Sequence, residues 1–362
     1  MRLACVLVLA ALLAPGAARA GVCSPLNCAA SQQTLAHGTL LAFRGTSSGA
    51  VRVIDLRNGH TRWRLPGGVT AGKTLIHQDG SLLTWYDQTT GARTGDAVLQ
   101  EHGHFVLVGA SQDGLRAVLA RTQYRSTTFA IVSRTSQRDV DLPGSTWSFD
   151  ALSADKLFLV HHLGSGASYE VRLVRLPLGG LDPRPLKDPG ESSTIRGGAW
   201  SRVSSDDGRY VYTLYIGSHG NVMVHVLDTR DATARCIDLP GDGDLNAAMT
   251  YTIVLDPERR FIWAISPGYG RVAHIDVVAH RIDDTYRFTP GKWNTTSATG
   301  VISPDGERIA VTDNYHVWLV QLAQRRVVAG PTHVAIALGW SPDQRHLWAI
   351  GERSRVSSLP LR

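Results

Sequence analysis

Lysine is almost missing from this chain: Lys73, Lys156, Lys187 and Lys292 are the four among 37 basic residues. A bias that strong towards arginine reflects base composition more simply than selection for phosphate binding. The arginines are scattered (Arg52, Arg64, Arg121, Arg172, Arg271, Arg325), and no run of five basic residues occurs. Nucleic-acid binding needs a clustered basic stripe, so the net charge of +6 argues for no nucleic-acid partner. Charged residues make up only 19%, below the usual quarter. No segment beyond the N-terminus has a helical apolar period, and none is apolar for long enough to span a bilayer. The Gly-x-Ser-x-Gly elbow, the His-Glu-x-x-His helix and the phosphate loop are all absent, which removes the commonest hydrolase, zinc-protease and nucleotide-binding signatures.

What is present is glycine, 36 of them, among many Val, Ile and Thr. That is the composition of an ordered, turn-rich β protein. The start, MRLACVLVLAALLAPGAARAGVC, has Arg2, an apolar stretch from Leu3 to Leu13, and Ala18-Arg19-Ala20 before Gly21. This is read as a signal peptide over residues 1–20, whose h-region is too short to cross a membrane. The mature chain would lose Arg2 and Arg19, taking +6 to +4, and would be secreted, periplasmic or held in the cell envelope. Residues 21–37 are read as an N-terminal tail. Cys23, Cys28 and Cys236 would remain after cleavage, and an oxidising compartment favours pairing two of them. Cys23–Cys28 is the expected disulfide. A tie from one of them to Cys236 is the alternative. Cys236 otherwise reads as a buried, inert thiol in a strand.

A turn recurs along the chain. GVISPDGERIAV (300–311) has relatives in VGASQDGLRAVLA (108–120), DALSADKLFLV (150–160), RVSSDDGRYVYTL (202–214), IVLDPERRFIWAI (253–265) and LGWSPDQRHLWAI (338–350), with a looser TLIHQDGSLLTWYD (74–87). The turn acids fall at Asp79, Asp113, Asp155, Asp207, Glu258, Asp305 and Asp343, spaced 34 to 52 residues apart. In such a turn Pro presets φ, Asp accepts backbone N–H groups ahead of it, and Gly accepts positive φ. Two further strand candidates follow each turn, for example HVWLVQL (316–322) and RRVVAGP (325–331). A period of this length with four strands per unit is the mark of a radial β-repeat. One blade cannot bury both of its faces, so blades must close into a ring. The expected fold is all-β, a single β-propeller of four-stranded antiparallel blades over residues 38–362. The turns predict seven blades, with eight as the alternative. The last unit supplies three strands, and TLLAFRG (39–45) is expected to complete it, closing the ring by joining N- and C-terminal strands.

The segments SPDGERIAV and SPDQRHLWAI resemble the turn of the TolB-type and WD-like bacterial β-propeller repeats, including the YVTN-like proteins. VIDLRNGHTRWRLPGG (53–68) resembles a quinoprotein-like blade, where an Asp-x-x-x-Gly turn precedes a Trp. The resemblance implies the fold, and a range of activities that includes lactonases, lyases, dehydrogenases and pure binding modules. The Gly-His…Trp-Asp pairing of WD repeats is absent, so that family's buried Asp–His network does not carry over.

The candidate site residues are few. His102 and His104 read as a blade-connecting loop, since two imidazoles do not make a metal site. DGDLN offers Asp242 and Asp244 as weak metal candidates, but Ala247 and Ile253 stand where a calcium loop needs Gly and Glu. His219, Tyr269 and Trp293 are the expected rim of one mouth of the ring. No catalytic residue is assigned. The expectation is an exported, non-catalytic, monomeric scaffold that binds a protein or cell-surface glycan and holds no cofactor, apart from a divalent cation that could sit in the channel. The alternative is an axial-site, metal-dependent lactonase or lyase.

Overall fold

The computed structural model describes residues 34–36, 39–44, 50–100, 103–164, 168–176, 179–187, 194–205, 207–258, 260–289, 298–312, 316–332, 335–351 and 355–359. The expected signal peptide, the expected Cys23–Cys28 disulfide, His102 and Trp293 lie outside these residues.

Antiparallel pairing builds eight sheets in chain order, so the ring has eight blades and not seven. Blade 1 spans residues 34–65, blade 2 69–98, blade 3 106–143, blade 4 147–196, blade 5 198–239, blade 6 252–287, blade 7 299–332 and blade 8 337–359. Strands are joined in simple up-and-down order. In blade 4 the fourth position is shared, because Gly180–Leu181 and Ile195–Arg196 both pair with Ser168–Arg175. The first strands of neighbouring blades stand side by side (Gly198–Ser204, Thr252–Leu255, Thr299–Ile302, Ala337–Trp340), which makes them the innermost strands around the axis.

The missing blade has a plain cause. Counting acid-bearing turns finds seven, but the sequence between Ala36 and Leu40, the first two paired strands of blade 1, carries no acid. The Asp79 turn also proved out of phase: it joins the second and third strands of blade 2, where the other six acids join the first and second. The ring therefore closes differently from expectation. Leu40–Arg44 is the second strand of blade 1, paired with Thr34–Ala36 and Val51–Asp55, and it completes no other blade. Thr34–Ala36 also places the first strand ahead of residue 38. Among the described residues blade 8 has three strands, and it meets blade 1 face to face. Leu41, Phe43, Ile54 and Leu56 pack against Ala337 and Ile350 there. The other seams are filled the same way, for instance Ile76, Trp85 and Leu119 between blades 2 and 3.

The recurrent turn works by hydrogen bonds within seven residues. Ser111, Ser205, Ser303 and Ser341 each donate from the hydroxyl to the Asp two residues on. The same Ser oxygens accept the N–H of Arg116, Tyr210, Arg308 and His346. The Asp then accepts the N–H two residues further, as Asp207 does from Arg209. These bonds hold the carboxyls of Asp207 and Asp343 below the ordinary range.

A second device fixes the seams, and its sequence signal stood in residues 53–68. The turn between third and fourth strands begins with an Asp and ends four residues later in positive φ: Asp55 to Gly59, Asp87 to Gly91, Asp228 to Ala232, Asp276 to His280. In the turns of Asp55, Asp87 and Asp276 an aromatic residue of the preceding blade donates to the carbonyl just after that Asp. Trp348 Nε1 reaches Leu56 O at 2.7 Å, Trp63 Nε1 reaches Gln88 O at 3.2 Å, and Tyr212 Oη reaches Val277 O at 3.3 Å. The turn's last residue lies on the ring. A Cβ at Gly59 would come within 2.7 Å of the Trp348 indole. Gly59→Ala is therefore expected to cost about 1–3 kcal/mol, from left-handed strain and the displaced indole together. Chemical denaturation checks it, and a loss under about 0.5 kcal/mol would show that the blade 8–blade 1 seam yields freely.

Candidate functional site

The predicted rim residues separate. Tyr269 is 8% exposed, and its hydroxyl donates to Gly220 O and to Asp244 O at 2.7 Å. It props two loops apart from the inside and is not a rim residue. His219 is exposed in the turn beside Gly220, above that prop. Asp244 caps the one-turn helix Leu245–Ala248, accepting from Asn246 N and Ala247 N, so its carboxylate is already engaged. Asp242 is exposed, with Arg271 3.9 Å away. Among the described residues no three His, Cys, Asp or Glu side chains stand close enough to share a metal ion.

Sequence reading missed a cleft at the outer seam of blades 5 and 6. It encloses about 260 Å³ and is lined by Tyr210, Asp228, Asp231, Arg235, Val278 and His280, with Val226, Thr233 and Ala234. Four pieces of chain converge to form it. Arg209 holds both carboxylates, reaching Asp228 Oδ2 at 2.8 Å and Asp231 Oδ2 at 2.8 Å. Its guanidinium carbon also lies 4.8 Å from the Tyr210 ring centroid. Asp228 Oδ1 accepts from the N–H groups of Arg230 and Asp231. Burial pushes the Asp228 carboxyl up, but the Arg209 and backbone bonds outweigh burial and hold it below the ordinary value.

His280 is the unusual member. It occupies the turn position that is Gly59 in blade 1 and Gly91 in blade 2, at φ +50. A non-glycine side chain there costs about 1 kcal/mol or more, so the surroundings must hold it in place. They do so with aromatic packing. The imidazole meets the Tyr210 ring edge-on at 5.1 Å and lies 6.4 Å from Tyr212. Tyr212, smaller than the Trp of other seams, leaves room for it. The Nδ1 atom is buried with no hydrogen-bond partner among the described residues. Burial, and then the nearby Arg235 charge, push the His280 pKa down, so the ring is neutral at pH 7. Arg235 is exposed on the outermost strand of blade 5, Thr233–Leu239, and no carboxylate pairs with it among the described residues. Val278 is 84% exposed at the lip of the cleft.

A second polar cluster lies in blade 4. Ser148 Oγ and His162 Nε2 are 3.0 Å apart, His161 stacks on Trp147 at 4.2 Å, and Asp150 pairs with Arg202 of blade 5 at 2.9 Å. Serine beside imidazole has the outline of a nucleophile and its base. However, among the described residues no carboxylate orients the imidazole, and burial drives the His162 pKa down to about 4. That makes it a weak base, and the cluster reads as structural.

No known protein-family model matches the chain, and no curated protein is similar to it. The architecture defines its class nonetheless: it is a β-propeller. Solved structures agree. AztD from Citrobacter koseri superposes with a TM-score of 0.53 at 16% identity, over 82% of this chain and 85% of that one. The Cps50 (Swd1) β-propeller domain of Myceliophteria thermophila gives 0.50 at 13% identity, over 92% and 97%. NirN, a dihydro-heme d1 dehydrogenase solved in complex with DHE, gives 0.51 at 12% identity, over 84% and 67%. At these identities the likeness is one of fold alone.

Proposed function

We propose that this chain is an exported binding module, a propeller that presents the outer seam of blades 5 and 6 to a partner. The observation that supports it most is the cleft itself: His280 held in a left-handed conformation that glycine takes in blades 1 and 2, its Nδ1 buried without a partner among the described residues, beside Arg235, which no described carboxylate pairs. A bulky ring held in that conformation at the wall of a cleft is a pointer to use. At about 260 Å³, the cavity is below the range of pockets that enclose a whole drug-sized ligand and is suited to one side chain or end group of a larger partner. No helix is long and apolar enough to cross a membrane among the described residues.

The test is photo-crosslinking in the cell that makes the protein, with the crosslinker placed at Val278 and at Tyr124, which are 84% and 90% exposed on different blades. One discrete adduct from Val278 and none from Tyr124 is the expected outcome, together with a mature N-terminus at Gly21. Divalent-metal-dependent turnover of a lactone or polyuronide panel by the purified protein would replace this reading with the axial-enzyme one.

A further inference from the structure

Each blade ends in an outermost strand, and that of blade 5 has a side-chain-sized cavity alongside it. Resting on the reading as a binding module, we infer that the blade 5–blade 6 cleft is a receptor for an acidic side chain carried on an extended segment of a protein partner. That segment adds alongside Thr233–Leu239, and its carboxylate seats between Arg235 and His280.

Three features argue for this occupant. The first is backbone. Thr233–Leu239 pairs on one side with Val222–Asp228 and is the last strand of its sheet. Its outward N–H and C=O groups can pair with an added strand, which a peptide can use and a glycan cannot. Successive side chains of that strand alternate, so Thr233 and Arg235 share one face, the one that lines the cleft. The second is charge. The two carboxylates in the cleft are already neutralised in part: Arg209 serves both, and Asp228 also takes two backbone N–H groups. The lining groups not engaged in this way among the described residues are a donor, Arg235, and the His280 imidazole, whose neutral ring donates from one of its nitrogens. Arginine binds a carboxylate through two parallel N–H bonds. The third is the lip. Val278 and the edge of Tyr210 offer apolar contact to the residues flanking the acid.

The position of His280 distinguishes this seam from those where glycine ends the turn. Where glycine ends the turn, an indole lies flat over it and the seam is sealed, as at Gly59 under Trp348. With Tyr212 and His280 in those places, the imidazole stands up beside Tyr210 and a cavity opens outside it.

The probe is a capped pentapeptide, acetyl-Thr-Val-Glu-Val-Thr-amide, with Gln and Lys versions at the centre, an N-methylated version and free glucuronate for comparison. Binding to the mature protein is followed by calorimetry and by the ring resonances of His280. The Glu peptide is expected to bind and to shift those resonances, with the Gln peptide about tenfold weaker or more. Arg235→Gln should abolish the preference. His280→Gly should weaken the Glu peptide by a similar factor while keeping the fold, because glycine suits φ +50. Equal binding of Glu and Gln peptides, preference for the Lys peptide, or no binding at about 1 mM peptide overturns the inference. So does binding of glucuronate as tight as the peptide, or indifference to N-methylation, because either would remove the strand-pairing partner. A discrete Val278 crosslink alongside a failed peptide series would leave the binding-module reading standing and sink this one alone.

Discussion

Asp150→Ala is expected to lower the unfolding free energy by about 3–5 kcal/mol, the cost of leaving a buried charge without its partner. Asp150 lies in the innermost strand of blade 4, at a bulge between Phe149 and Ala151 where the register with the next strand shifts. A bulge re-aims one side chain, and here it turns the carboxylate towards Arg202 of blade 5. The Asp150 side chain is 3% exposed and that of Arg202 18%, so neither is rescued by water. The pair ties two blades near the axis, at a seam lengthened by the extra pairing of Ile195–Arg196. Arg202→Met is expected to cost a similar amount. The double variant Asp150→Leu, Arg202→Met should cost much less than the sum, since an apolar pair of like volume has no charge to strand. Urea denaturation followed by tryptophan fluorescence, with Asp150→Leu and Arg202→Met as the matching single variants, gives the cycle. A single-variant loss under about 1 kcal/mol would place the pair among ordinary solvated surface bridges.

The extent to which the fold could be read from sequence follows from how local each signal is. The Ser-x-Asp turn is legible because its bonds close within a few residues; Ser303, Asp305 and Arg308 carry it entirely. Blade number was not, because counting relied on a turn acid that the first hairpin lacks. Ring closure was not, because Leu40–Arg44 reads as a strand in any blade and its partner is chosen by the packing of Leu41 and Leu56 on Ala337 and Ile350, nearly three hundred residues on. Tyr269 looked like a loop aromatic from its Gly-rich neighbours, but its hydroxyl finds two backbone carbonyls that only folding brings near.

The cleft was illegible for the same reason, with one exception. Tyr210, Asp228, Arg235 and His280 span seventy positions, and no spacing rule joins them. The exception is the Asp-x-x-x-Gly turn. The sequence shows it plainly at Asp55 to Gly59, and the same spacing from Asp276 ends on His280. Glycine ends this turn in blades 1 and 2, alanine in blade 5 and histidine in blade 6, and a ring as large as imidazole needs neighbours arranged to accept it. Comparing copies of a turn within one chain substitutes in part for comparing homologues.

The second large effect is acid lability between about pH 6.5 and 4, carried mainly by His162. Burial, followed by the charge of His161, lowers its pKa from 6.5 to about 4. In this interval the unfolded chain binds a proton at His162 and the native ring does not. The unfolded state therefore gains stability as pH falls, and the native state loses the equivalent of about 3 kcal/mol across the interval. Above pH 6.5 the full stability is present, and below pH 4 this contribution changes no further. His161 and His280, also lowered by burial, add to the slope in the same direction. The lowered carboxyls of Asp207, Asp228 and Asp343 titrate below the window, with an unfolded value near 3.8, so their losses come later. His162→Gln should flatten most of the dependence between pH 6.5 and 4 while leaving the decline below 4, because an amide can keep a bond to Ser148 Oγ but takes up no proton. Denaturation free energies at half-unit pH intervals separate the two ranges. An unchanged slope in His162→Gln would mean that the native imidazole protonates where it stands, and that the Ser148 contact is open to water.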